Sequence, residues 1–171
     1  VLLGVSFIYT FFGLIPYSPL ALIFSTAFLT AVCWTTNTVL VKVFNAAAST
    51  ESVYITALTL ALVISPVVPQ DLAGVGFLFW AGVLAMASKF VFAIDKKHIF
   101  NPAAVALVIC AYALQQYAGW WVGGNLALLP FVLVGGLLVV RKIRRFDLAL
   151  TFTGVALTTI VLGGFPQNPL T

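Results

Sequence analysis

Lys97-His98-Ile99-Phe100-Asn101-Pro102-Ala103-Ala104-Val105-Ala106-Leu107 is the stretch on which the reading of the fold turns. It stands where one long apolar run ends in a basic cluster and the next run begins. Asn101 is a strong helix N-cap, because its side-chain oxygen can accept from the free N–H groups of the first turn. Pro102 suits the first helical position, where no N–H is needed and φ is already set. In lipid such a start matters more than in water, since an unpaired backbone group there costs several kcal/mol. The segment predicts a well-capped helix that starts at a membrane surface.

The rest of the chain agrees with that setting. Its 171 residues are 63% hydrophobic and only 7% charged, with a mean hydropathy of +1.17. Those values predict an all-α, polytopic integral membrane protein rather than a soluble domain with a large core. Seven apolar runs predict transmembrane helices near 1–15, 19–41, 53–66, 73–94, 102–118, 126–140 and 147–163. Residues 1–171 read as a single transmembrane helical domain. Val1 already lies inside an apolar run and Thr171 follows turn-like residues, so a piece of a longer chain is expected. No basic region precedes the first run, so no cleavable signal peptide is expected.

The third run is short. Its roughly 14 strongly apolar residues make about 21 Å of helix, against a hydrocarbon core of about 30 Å. Ser65-Pro66 and Pro69 end it, which predicts a crossing that is short or broken, with its irregular end buried in protein. A re-entrant loop would instead put Lys96 and Lys97 on the opposite side. Thr56, Thr59 and Ser65 could then line a ligand or ion pathway, as broken helices do in transporters.

Charge sets the orientation. With seven crossings, Lys42, Lys96, Lys97, Arg141, Lys142, Arg144 and Arg145 share one side, and the loops opposite carry no basic residue. That pattern predicts cytoplasmic basic loops and places Thr171 outside, with Trp120 and Trp121 in an aromatic belt at the outer boundary. Net charge +4 therefore reflects topology and speaks against nucleic acid as a partner.

Few groups inside the runs can carry chemistry. Lys89 either snorkels to the cytoplasmic surface or holds a ligand by its ammonium. Glu51 starts the third run, where a carboxylate complements the helix dipole. His98 is the sole histidine, so a bis-His haem within this chain is excluded. Cys33 and Cys110 are mid-span at similar depth, and two thiolates do not complete an iron–sulfur cluster. No Walker motif, dinucleotide fingerprint or nucleophile elbow is present, so the chain offers no catalytic residue, no metal site and no self-contained catalytic centre.

Three ordered segments carry a family resemblance: Ser52 through Pro66 to Pro69, then Phe100-Asn101-Pro102-Ala103, then Gly135-Gly136-Leu-Leu-Val-Val-Arg-Lys-Ile-Arg-Arg145. Over roughly residues 50 to 162 the chain resembles the D subunit of the bacterial Rnf electron-transport complex and the B subunit of the sodium-pumping NADH:quinone reductase. The resemblance implies a subunit of a flavin-linked electron-transfer oxidoreductase in the bacterial inner membrane, coupled to Na⁺ or H⁺ movement. It implies a soluble flavin- or ferredoxin-type reductase domain, or other membrane subunits, as partners on the cytoplasmic side. It further implies a non-covalent flavin (FMN or riboflavin), for which Lys89, Lys97, His98, Asn101, Thr56 and Ser65 are the candidate ligands. Covalent FMN is not expected. In the family a Thr in the loop between the fifth and sixth spans carries it, and here that connection, Gly119-Trp-Trp-Val-Gly-Gly-Asn125, has no Thr. The alternative is a small-solute or flavin transporter or channel built on the broken helix.

Overall fold

The computed structural model describes residues 2–45, 50–94, 97–98 and 100–163, with the side chains of 93–98 and 163 left aside. Thr171 and Lys96, to which the topology above assigned places, fall outside these. The fold is helical: α1 (Leu2–Phe11), α2 (Pro19–Phe44), α3 (Thr50–Val63), α4 (Leu72–Val91), α5 (Pro102–Ala113), α6 (Trp121–Gly124), α7 (Leu129–Ile143) and α8 (Phe146–Gly163). Among the described residues the sheet is a two-residue antiparallel pair, β1 (Ala93–Ile94) with β2 (Lys97–His98). Each of the seven apolar runs contains a helix. Among the described residues, α2 and α4 are the two helices long and apolar enough to cross a membrane by length and composition.

The chain divides into two compact units, residues 1–129 and 130–171. In the first, α2 packs on α3 and α4, and α4 packs on α5. Short connections make α3 antiparallel to both α2 and α4, so α2 and α4 run parallel. Their matching ends confirm it, because Phe44 and Phe90 stack with ring centroids 5.7 Å apart. Close approach at mid-height rests on Gly82, where a Cβ would meet Val32 Cγ1 at 2.8 Å. Leu29, Cys33, Ala57, Leu60, Leu78, Ala85, Met86, Ala106 and Cys110 fill the core between these four helices. Both cysteines are free thiols.

Helix ends follow the local chemistry. Asn101 caps α5 as expected, its Oδ1 accepting from Ala103 N at 3.0 Å with Pro102 in the first turn. Ser18 does the same for α2 ahead of Pro19, and Asp71 accepts from Gly74 N at the start of α4. Asn45 closes α2 in the left-handed conformation that Asn tolerates. The fifth helix stops earlier than the expected residue 118: it ends at Ala113, and Gln115 turns the chain with φ 53°. In the second unit, Arg144 at φ 53° makes the turn between α7 and α8.

The third helix is short, as its prolines require. α3 has 14 residues, and Pro66 lacks the N–H that would continue the ladder. Two chain segments make good the loss. Ser25 of α2 accepts from Val67 N at 2.8 Å and donates to Val67 O at 3.2 Å. Trp121 of α6 donates its indole N–H to Ala61 O at 3.0 Å. The irregular end of α3, half-buried over residues 65–67, is thus hydrogen-bonded from α2 and α6.

Candidate functional site

The bundle brings its chemistry together at two places, one at each end of α3. At the end where α2 and α4 finish and α3 and α5 start, Lys89 in the last turn of α4 is only 7% exposed. Its Nζ donates to Ser52 O at 2.7 Å and to Ser52 Oγ at 2.9 Å. Thr56 donates to the same Ser52 carbonyl at 2.9 Å and is also buried. Among the described residues no carboxylate pairs with Lys89. The Lys89 ammonium is turned onto the first turn of α3. The reason is reach. That turn lies beside the end of α4 and offers two oxygens before bulk water does.

At the other end of α3 lies a cleft of about 470 Å³, lined by Pro16, Tyr17, Ser65, Trp120, Trp121 and Asn125 with Gly119 and Gly124. Tyr17 donates to Ser65 Oγ at 3.2 Å, and its ring meets Trp121 edge to face at 5.3 Å. Trp121 is 7% exposed and fixed by Ala61 O, whereas Trp120 is 57% exposed. Gly123 is needed here, since a Cβ at that position would lie 2.7 Å from the Trp120 ring. Asn125 is anchored through its Oδ1, which accepts from Ala127 N at 2.9 Å. The amide N–H groups of Asn125 are the donor end of that side chain. One indole held from behind, one indole open in front and short polar side chains at the rim form a surface that can stack on a planar ring and hydrogen-bond its edge.

Of the six residues expected to hold a cofactor, Thr56 and Lys89 come together and Ser65 lies at the opposite end of α3. Lys89 and Thr56 meet through Ser52 in the interior. Ser65 is in the cleft at the far end of α3. Asn101 is exposed and occupied with its cap. Lys97 and His98 lie in β2, their backbones paired with Ile94 and Ala93, and their side chains are outside the description. Sequence reasoning passed over Tyr17, Ser25, Ser52 and Asn125. Trp121 was read as a boundary aromatic. Its signal was present but ambiguous, because a buried indole needs an acceptor and Pro66 supplies a helix end with orphaned carbonyls. Comparison with family models, with curated proteins and with solved structures finds no match to this chain.

Proposed function

We propose that this chain is a membrane subunit of a flavin-linked electron-transfer oxidoreductase, of the class that couples electron flow to Na⁺ or H⁺ movement. In this reading about seven segments cross the bacterial cytoplasmic membrane, the basic loops face the cytoplasm, and a reductase partner docks there. Support for the membrane setting comes from the surface. Leu20, Ile23, Trp34, Val39, Val43, Ile55, Leu72 and Val91 are all exposed, a coverage of apolar side chains that soluble monomers do not present. The helices too short to span alone would cross with the backbone groups of their irregular ends hydrogen-bonded within the protein, as at Val67.

The observation that carries the functional reading is the aromatic cleft. Its volume of about 470 Å³ falls in the range of roughly 300–1,000 Å³ usual for small-molecule sites. Trp120 would stack on an isoalloxazine ring, and the Asn125 amide and the Ser65 hydroxyl would meet its polar edge. The cleft is built partly from the 119–125 connection, the loop that in the resembling family holds FMN. With no Thr in that connection, a flavin here would be held without a covalent bond. A bound flavin would supply one- and two-electron transfer; the protein side chains bind it and orient its ring.

The test is the visible spectrum of the detergent-purified protein before and after acid precipitation. A flavin band at about 450 nm that moves to the supernatant supports the reading. Loss of a stacked aromatic face costs about 1–3 kcal/mol, so Trp120→Ala should weaken flavin binding about 5- to 150-fold. A colourless protein that takes up no added flavin overturns it. Breakage of α3 at Ser65-Pro66 also favours a second reading, a transporter; solute flux into liposomes without any reductant would establish that one instead.

A further inference from the structure

Lys89 has no part in the cleft, and its surroundings set it a separate task. An ammonium removed from water costs several kcal/mol unless an opposite charge compensates it. Ionisable groups inside membrane bundles mark proton relays and ion paths for that reason. Among the described residues no element packed on α4 offers compensation; Asp95, in the β1–β2 connection, lies outside the description. α2 brings the buried Cys33 thiol and the exposed, like-charged Lys42. α3 brings Glu51 and Tyr54, both exposed, with no ion pair to Lys89. α5 brings the buried Cys110 thiol, and in β2 the side chains of Lys97 and His98 are not described. What Lys89 does have is Ser52, held by two hydrogen bonds at 2.7 and 2.9 Å. Hydrogen bonds from an ammonium are roughly twice as strong as those from a neutral amine, and lysine changes its protonation readily when buried.

We infer that Lys89 is a proton-binding group inside the bundle, and that its ammonium form latches the first turn of α3 to the last turn of α4. Loss of the proton to water at that end converts the ammonium to an amine and breaks no other bond. The charge-assisted contacts to Ser52 weaken, and the start of α3 is released from α4. The far end of α3 stays pinned by Ser25 and Trp121, so the motion is confined to the half that contains Ser52 and Thr56. The latch does not depend on what the cleft binds.

Amide hydrogen exchange on the full chain in detergent, between pH 6 and 10 and normalised to intrinsic rates, tests this directly. Protection of the amides in the first half of α3 should fall by about tenfold as pH rises, from loss of charge-assisted bonding. Amides of α2 around Leu29 should stay level. In Lys89→Arg the guanidinium remains charged across this range, so protection should persist at every pH. In Lys89→Met the amides should exchange at the high-pH level throughout. A flat profile for the unmodified chain overturns the inference without recourse to any variant, and so does an Arg variant that follows the unmodified profile.

Discussion

Ser25→Ala should be among the most damaging single-atom deletions in this chain. The hydroxyl is 4% exposed with its residue, and it serves both backbone groups of Val67, the N–H at 2.8 Å and the C=O at 3.2 Å. Neither group has a helical partner, because α3 has ended and Pro66 and Pro69 flank the site. Removing one oxygen therefore leaves a donor and an acceptor of the half-buried Val67 unmet. Each such group costs about 1–3 kcal/mol, and partial relaxation of the extended segment brings the pair to about 2–4 kcal/mol. At about 1.4 kcal/mol per factor of ten, that is a roughly 30- to 700-fold shift toward the unfolded state. Equilibrium denaturation in mixed detergent micelles, followed by tryptophan fluorescence, reads it out. Thr38→Val is the matched control, since Thr38 is on the same helix, half-exposed, and bonds only its own i−4 carbonyl; it should move stability by less than about 0.5 kcal/mol. Equal midpoints for the two variants would refute the claim that Ser25 secures the broken end of α3.

Gly82→Ala should destabilise by about 1–2 kcal/mol despite alanine's better helix propensity, because the new Cβ meets Val32 at 2.8 Å and overpacking costs about 1–3 kcal/mol. Gly76→Ala, with nothing within 4 Å, should instead gain up to about 1 kcal/mol, so thermal melts of the two should move in opposite directions. Asn101→Ala should lose about 1 kcal/mol through the missing cap while flavin occupancy, measured by absorbance, stays unchanged; a sharp fall in occupancy at normal yield would make Asn101 a ligand contact.

The fold was legible wherever a signal was local. Seven apolar runs became seven helices because composition over a window of residues is enough to drive helix formation out of water. Asn101-Pro102 announced a helix start, and Pro66 announced the shortness of α3, since each acts on the adjacent backbone. What stayed hidden was long-range. Nothing in Trp120-Trp121 tells that one indole is open and the other is inserted against Ala61. Lys89 read as a residue within reach of the surface, because the sequence shows its distance from the end of its apolar run but not its distance from Ser52. The end of α5 at Ala113 was missed for a related reason: Leu114-Gln115-Gln116-Tyr117-Ala118 holds no Gly or Pro to stop a helix, and a left-handed Gln115 leaves no compositional trace. The candidate site suffered most. Ser65 reached the cleft, while Tyr17, Trp120, Trp121 and Asn125 come to it from segments that only the packing brings together.

The partners of α3 also stand in a definite order along the chain. Ser25, which secures its broken end, is translated before it, whereas Lys89 and Trp121 come after. Synthesis of α2 and α3 has therefore supplied the remedy for Val67 but not the one for Ala61. The α2–α3 hairpin can form with its extended segment satisfied, and it becomes complete only when α4 and the 119–125 connection arrive. Under the membrane reading proposed above, chains truncated before Lys89 would be held as an unfinished hairpin, and those reaching Trp121 would carry every partner of α3.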